Sequence, residues 1–145
     1  MKIIVLKFGG TSVGTIEKIK KIALIISDYI KKKYKVVVIS SAMSGATNEL
    51  IKKSKKISDN FSHAEYDVLL SSGEQVACSL IAGRLINSGY KSRSWLSWQI
   101  PIMTNGPYKH SKINYIKHHM LRHIYKPSGV MFSKSCKEIS DLLGK

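Results

Sequence analysis

The stretch "KIIVLKFGGTSVGTIEKIKKIALIISDYIKKKYKVVVISS", Lys2 to Ser41, decides the fold. Lys2 to Leu6 reads as a strand apolar on both faces, as parallel strands covered by helices are. From Thr15 to Lys33 the period changes. Ile16, Ile19, Ile22, Ala23, Ile26 and Ile30 recur at three- and four-residue spacing, and lysines fill the other face. That pattern predicts an amphipathic helix of about five turns. Lys35 to Ser41 is a second, β-branched strand. Strand, helix and strand in this order make a βαβ unit, expected to cross over with a right hand.

Outward from this unit the alternation continues. A second helix is expected after "MSGATNEL" and runs to about Ser58, and residues 59–64 read as a surface connection. The middle of "YDVLLSSGEQVACSLIAGRLINSGY" is a helix apolar nearly all round, hence expected to be well buried. Gly89 is a good stop for it. "KSRSWLSWQIPIMT" offers one or two short strands, the second demoted by Pro101. The whole predicts an α/β fold with a mainly parallel sheet. From about Lys117 onward the chain holds three of its five histidines and no clear strand. His118, His119 and His123 lack a nearby carboxylate, so no metal site is expected there.

With 145 residues, one domain is expected. No run of about 18 apolar residues suggests a membrane span, and Ile3 to Leu6 is too short for a signal peptide core. Cys78 and Cys136 fit neither a disulfide framework nor a metal spacing. Cys78, among Val76, Ala77, Leu80 and Ile81, reads as a buried inert thiol, which suits a reducing cytoplasm. The net charge of +15 raises nucleic acid as a partner. Yet only Arg84, Arg93 and Arg122 are arginines, and the lysines fall on helical outer faces. Base and phosphate readers favour the arginine fork. Specific nucleic-acid recognition is therefore disfavoured, and the surface favours anionic ligands generally.

In open α/β sheets ligands bind beyond the carboxyl ends of the strands. Lys7 stands at such an end, followed by Gly9, Gly10 and a helix start. A positive charge, close-approaching backbone donors and a helix N-terminus together suit a phosphate. The same residues also suit a plain turn with an exposed lysine; "KFGG" is not a Walker A loop, and "GGTSVG" is not GxGxxG. The second strand likewise ends in small polar residues: Ser40, Ser41, Met43, Ser44, Gly45 and Thr47. Their hydroxyls serve a polar substrate, or Ser44 or Thr47 caps the next helix. Ser71 and Glu74 have capping-box spacing. Glu74 either satisfies a backbone N–H or faces a pocket and binds an ammonium group.

Taken together, "KFGGTSV" at Lys7 to Val13, "VVVISSAMSGATNEL" at Val36 to Leu50 and "LLSSGEQVACSLIAGRLINSGYKSRSW" at Leu69 to Trp95 resemble the aspartokinases of the amino-acid kinase family. The resemblance implies a three-layer α/β/α sandwich with a mainly parallel sheet, incomplete at its C-terminal side. It implies transfer of the ATP γ-phosphoryl group to the side-chain carboxylate of L-aspartate, toward lysine, threonine and methionine. Lys7, Phe8, Gly9 and Gly10 would hold the phosphates, with Lys7 as the catalytic cation. Ser41 and Thr47 would bind aspartate or the transferring group, and Glu74 would hold the aspartate ammonium. Mg2+ would accompany ATP, with no metal ligand identifiable in this sequence. Phosphoryl transfer asks the protein for positioning and charge stabilisation, which these residue types supply.

The resemblance covers residues 1–116. Ser97 in "LSWQ" replaces a glycine common in the family. The later "GFQG", "GRGGSD" and "TDVDG" segments and the regulatory ACT domains of the family do not follow. Residues 1–116 are therefore expected to be the N-terminal part of a kinase catalytic domain. Residues 117–145 are expected to be a divergent or out-of-frame basic tail, left by a frameshift or an early stop. A kinase with little or no turnover of its own follows from this. Two other expectations stand beside it: a half-kinase complemented by a partner chain, and a basic module that binds nucleic acid or anions. The expected assembly is a homo-oligomer or a complex with a partner chain. The truncated fold is further expected to leave a sheet edge and apolar surface uncovered.

Overall fold

The computed structural model describes residues 2–96, 99, 102–106, 112–116 and 130–132. The predicted βαβ unit forms as β1 (Ile3–Phe8), α1 (Ile16–Lys31) and β2 (Lys35–Ser40). β1 and β2 pair in parallel, from Ile3 against Lys35 to Phe8 against Ser40. Thr15 caps α1, its side chain accepting from the Lys18 N–H at 3.3 Å. The helix buries Ile19, Ile22, Ala23 and Ile26, the stripe set by the spacing. Buried Ser27 satisfies its hydroxyl on the Ala23 carbonyl at 2.7 Å.

Two helices follow, α2 (Ala46–Ile57) and α3 (His63–Asn87). α2 starts inside "MSGATNEL" rather than after it. Gly45 takes a left-handed φ of 82° at the turn into the helix. α3 differs from its expectation in one respect. It buries Gly73, Ala77, Cys78, Ile81, Ala82 and Leu85, a single face at helical spacing. Val68, Val76, Leu80 and Ile86 lie off that face and are exposed. The near-uniform apolarity of the sequence hid which face meets the core. Gly89, at φ 84°, ends α3 as expected, and the Tyr90 N–H returns to the Leu85 carbonyl at 3.1 Å.

The strands β3 (Arg93–Ser94), β4 (Ile102–Asn105), β5 (Lys112–Ile116) and β6 (Val130–Phe132) complete the described elements. β4 and β5 form an antiparallel pair with an irregularity between Met103 and Thr104. The main sheet runs β1-β2-β6-β3, parallel throughout. This corrects the reading that the tail holds no clear strand. β6 lies between β2 and β3, with Val37 opposite Val130 and Arg93 opposite the same residue. Three residues carry too little pattern to announce a strand whose partners lie far away in sequence.

Val13, α1, Val36 and Val38 of β2 and the buried face of α3 form one core cluster. Val37 and Ile39, on the opposite face of β2, are buried as well. The strand is thus covered on both sides, which explains its continuous β-branched run. The expected α/β architecture with a parallel sheet is what forms. Large apolar side chains also remain exposed on α1 and α3, Leu24 and Val68 among them.

Cys78 is fully buried in this core. Burial pushes its thiol from the ordinary 9.0 up to about 11, and the Glu74 carboxylate one turn earlier adds to the rise. At pH 8 the folded chain should then carry on the order of a hundredfold less Cys78 thiolate than an unburied thiol. Site-resolved mass spectrometry after brief iodoacetamide treatment should show Cys78 unmodified until denaturant is added. Equal labelling in both states would overturn this. The same rise means that the unfolded chain ionises first. Its contribution to stability is full below about pH 9 and falls as pH climbs from 9 toward 11.

Candidate functional site

Three segments distant in sequence meet at the carboxyl ends of β1 and β2. The loop after β1 supplies Gly10 and Thr11, and the loop after β2 supplies Ser41 to Gly45. Thr47 comes from the first turn of α2, and Glu74 from the middle of α3. Together they line an open hollow of about 400 Å³, within the size range of small-molecule sites.

The two loops are held in close register. The Ser41 N–H donates to the Phe8 carbonyl at 3.1 Å, extending the β1–β2 ladder into the loops. A Cβ on Gly10 would stand 3.0 Å from the Ala42 carbonyl oxygen, and one on Gly14 would stand 3.0 Å from the Ser44 Cβ. Side chains there would force the loops apart. Around Gly9, by contrast, the space a Cβ would take is open. Ser12 and Val13 donate their N–H groups back to the Gly9 carbonyl, at 2.9 and 3.2 Å. The N–H groups of Gly10 and Thr11 have no acceptor among the described residues.

The alternatives left open by the sequence resolve differently at each position. Neither Ser44 nor Thr47 caps α2, whose N-cap is Gly45 with no side-chain cap bond. The N–H groups of Thr47 and Asn48 are thus donors without acceptors among the described residues. Ser71 and Glu74 form no capping box, because α3 begins at His63 and runs through both. Ser71 instead donates to the Val68 carbonyl at 2.8 Å. Glu74 is half-buried on the hollow and makes no hydrogen bond or ion pair among the described residues. In a chain with 24 Lys and Arg against 9 Asp and Glu, this carboxylate has no lysine partner among the described residues.

The structure therefore brings Gly10, Ser41, Thr47 and Glu74 together. Lys7 is exposed at the end of β1, opposite Ile39, and does not line the hollow. Phe8 packs against the core and lines a neighbouring groove with Thr11, Ser12, Lys18, Lys21, Ile22 and Ile25. Thr11 borders both. Its part in the hollow is one that the sequence reading missed, although its place in the glycine loop was the available signal. His118, His119, His123 and Ser97 lie outside the described residues. Among the described residues no group of three or more His, Cys, Asp or Glu side chains could hold a metal ion.

This arrangement offers backbone donors and hydroxyls to an anion and a carboxylate to a cation. The comparisons with known proteins agree with the fold and the motifs. The sequence profile described as "Amino acid kinase family" matches residues 2–127. The aspartokinase of Rickettsia felis is 50% identical over 115 residues, 77% of this chain and 28% of that protein. Aspartokinase 2 of Bacillus subtilis is 43% identical over 113 residues, 78% of this chain and 28% of that protein. The chain thus spans about a quarter of the length of these curated relatives. The crystal structure of aspartate kinase from Synechocystis superposes with a TM-score of 0.71 at 32% identity, covering 92% of this chain and 22% of that one. Escherichia coli aspartokinase III, solved with aspartate and ADP, superposes with a TM-score of 0.74 at 17% identity, covering 92% and 40%, a likeness of fold. The chain belongs to the amino acid kinase family, and its sequence is similar to that family's aspartokinases.

Proposed function

We propose that this chain carries the L-aspartate-binding part of an aspartokinase site. The reaction served is ATP-dependent phosphorylation of the aspartate side-chain carboxylate. The observation that carries the reading is the convergence of Ser41, Thr47 and unpaired Glu74 on one hollow beside Gly10. Glu74 holds the substrate ammonium. Ser41 and Thr47 hydroxyls, with the free N–H groups at the start of α2, hold its carboxylates. The open cradle at Gly9, the free Gly10 and Thr11 N–H groups and the exposed Lys7 fit the phosphates of ATP. ATP supplies the transferred phosphoryl group, and Mg2+ would be brought by its phosphates. Lys7 neutralises charge as the phosphoryl group passes.

Among the described residues the hollow is lined by one carboxylate and no cation. Phosphoryl transfer needs charge stabilisation beyond a single lysine. A polypeptide of these 145 residues should therefore give no ATP- and aspartate-dependent acyl phosphate above a Lys7→Ala control, trapped as the hydroxamate. A chimera of the Rickettsia felis aspartokinase, its matching segment replaced by this chain, should turn over. Lys7→Ala in that chimera should then lower kcat by about a hundredfold or more. Full activity in the Lys7→Ala chimera would refute the role given to Lys7. Turnover by the 145 residues alone would show that the site needs no further cation.

A further inference from the structure

We infer that Lys18 is a positioning residue, which holds the glycine loop in the shape that lines the substrate hollow. Gly9 to Ser12 carry no buried side chain, whereas Val13 after them is fully buried. Between β1 and that anchor the loop is hydrogen-bonded within its own backbone and lies against the Ala42 carbonyl at Gly10. The Lys18 ammonium, on the first turn of α1, donates to the Thr11 carbonyl at 2.9 Å. It is the one side chain among the described residues that hydrogen-bonds to this segment. The next atom group along, the Ser12 N–H, is bound to the Gly9 carbonyl at 2.9 Å. Both ends of the Thr11–Ser12 peptide are thus engaged, so the plane of that peptide is fixed. The preceding N–H groups, of Gly10 and Thr11, which border the hollow, have no acceptor among the described residues. Lys18 acts through this peptide and does not line the hollow.

The inference rests on the substrate reading for its functional half, and two readouts separate the halves. In Lys18→Met, amide exchange of Ser12 and Val13, followed by NMR, should quicken about threefold to tenfold, the scale of one hydrogen bond. L-aspartate affinity by calorimetry should fall by a similar factor. Lys18→Arg, which can still donate to the carbonyl, should restore both. Lys21→Met, which removes a charge from the same groove but no recorded bond, should change neither. Unchanged Ser12 exchange in Lys18→Met would overturn the inference. So would a loosened loop with undiminished affinity, or an equal effect of Lys21→Met. If the unsubstituted chain binds no aspartate, the substrate reading fails, and Ser12 exchange still decides whether Lys18 holds the loop.

Discussion

Replacing Glu74 by glutamine is expected to weaken L-aspartate binding roughly thirtyfold, with the melting temperature moved by no more than about 2 °C. Glutamine keeps the shape of glutamate and one acceptor oxygen, and replaces the other, charge-bearing oxygen by a neutral amide NH2. Glu74 has no ion-pair or hydrogen-bond partner among the described residues, so no internal bond is lost with that charge. What is lost is the counter-charge offered to an ammonium group in a half-buried hollow. The control is Glu49→Gln, which removes a carboxylate paired with Lys52 at 3.0 Å on exposed α2. An exposed pair of this kind contributes little, and aspartate affinity should barely move. Calorimetric titration of both variants is the measurement. Equal affinity in Glu74→Gln and the unsubstituted chain would remove the reason for placing the substrate ammonium there.

The largest expected effect on stability is that of Leu85→Ala. Leu85 is fully buried in the cluster that joins α1, β2 and α3. Its truncation should cost about 3 kcal/mol, from lost apolar burial and the cavity left behind. In a domain of this size that lowers the melting temperature by about 10 °C. Val76→Ala, at a position 53% exposed on the same helix, should change stability by less than about 0.5 kcal/mol. Denaturant melts of both variants test the assignment of the buried face. Equal losses would mean that α3 packs by another face.

Much of the fold was legible because it is written locally. The change of period at Thr15 and the β-branched run of β2 each report their surroundings within a few residues. The site was legible in part. "KFGG" and the hydroxyl-rich loop after Ser40 mark the ends of adjacent parallel strands, and such ends lie side by side. The role of Glu74 was ambiguous for a physical reason. S-x-x-E spacing is a cap only where a helix begins, and four residues cannot tell that α3 started two turns earlier. The Lys18–Thr11 bond was invisible, because its acceptor is a backbone carbonyl that any residue would supply. β6 was missed because a three-residue strand owes its existence to partners far along the chain.

The place of β6 in the sheet sets a schedule for synthesis. A ribosome extends a chain at about 5–20 residues per second. β2 and β3 emerge well before Val130, the residue that bridges them. For several seconds both strands offer backbone donors and acceptors to whatever is nearby, and the slot between them stays open until β6 emerges. A nascent chain stalled before residue 130 is the form in which chaperone capture or strand exchange between neighbours on a polysome should be greatest.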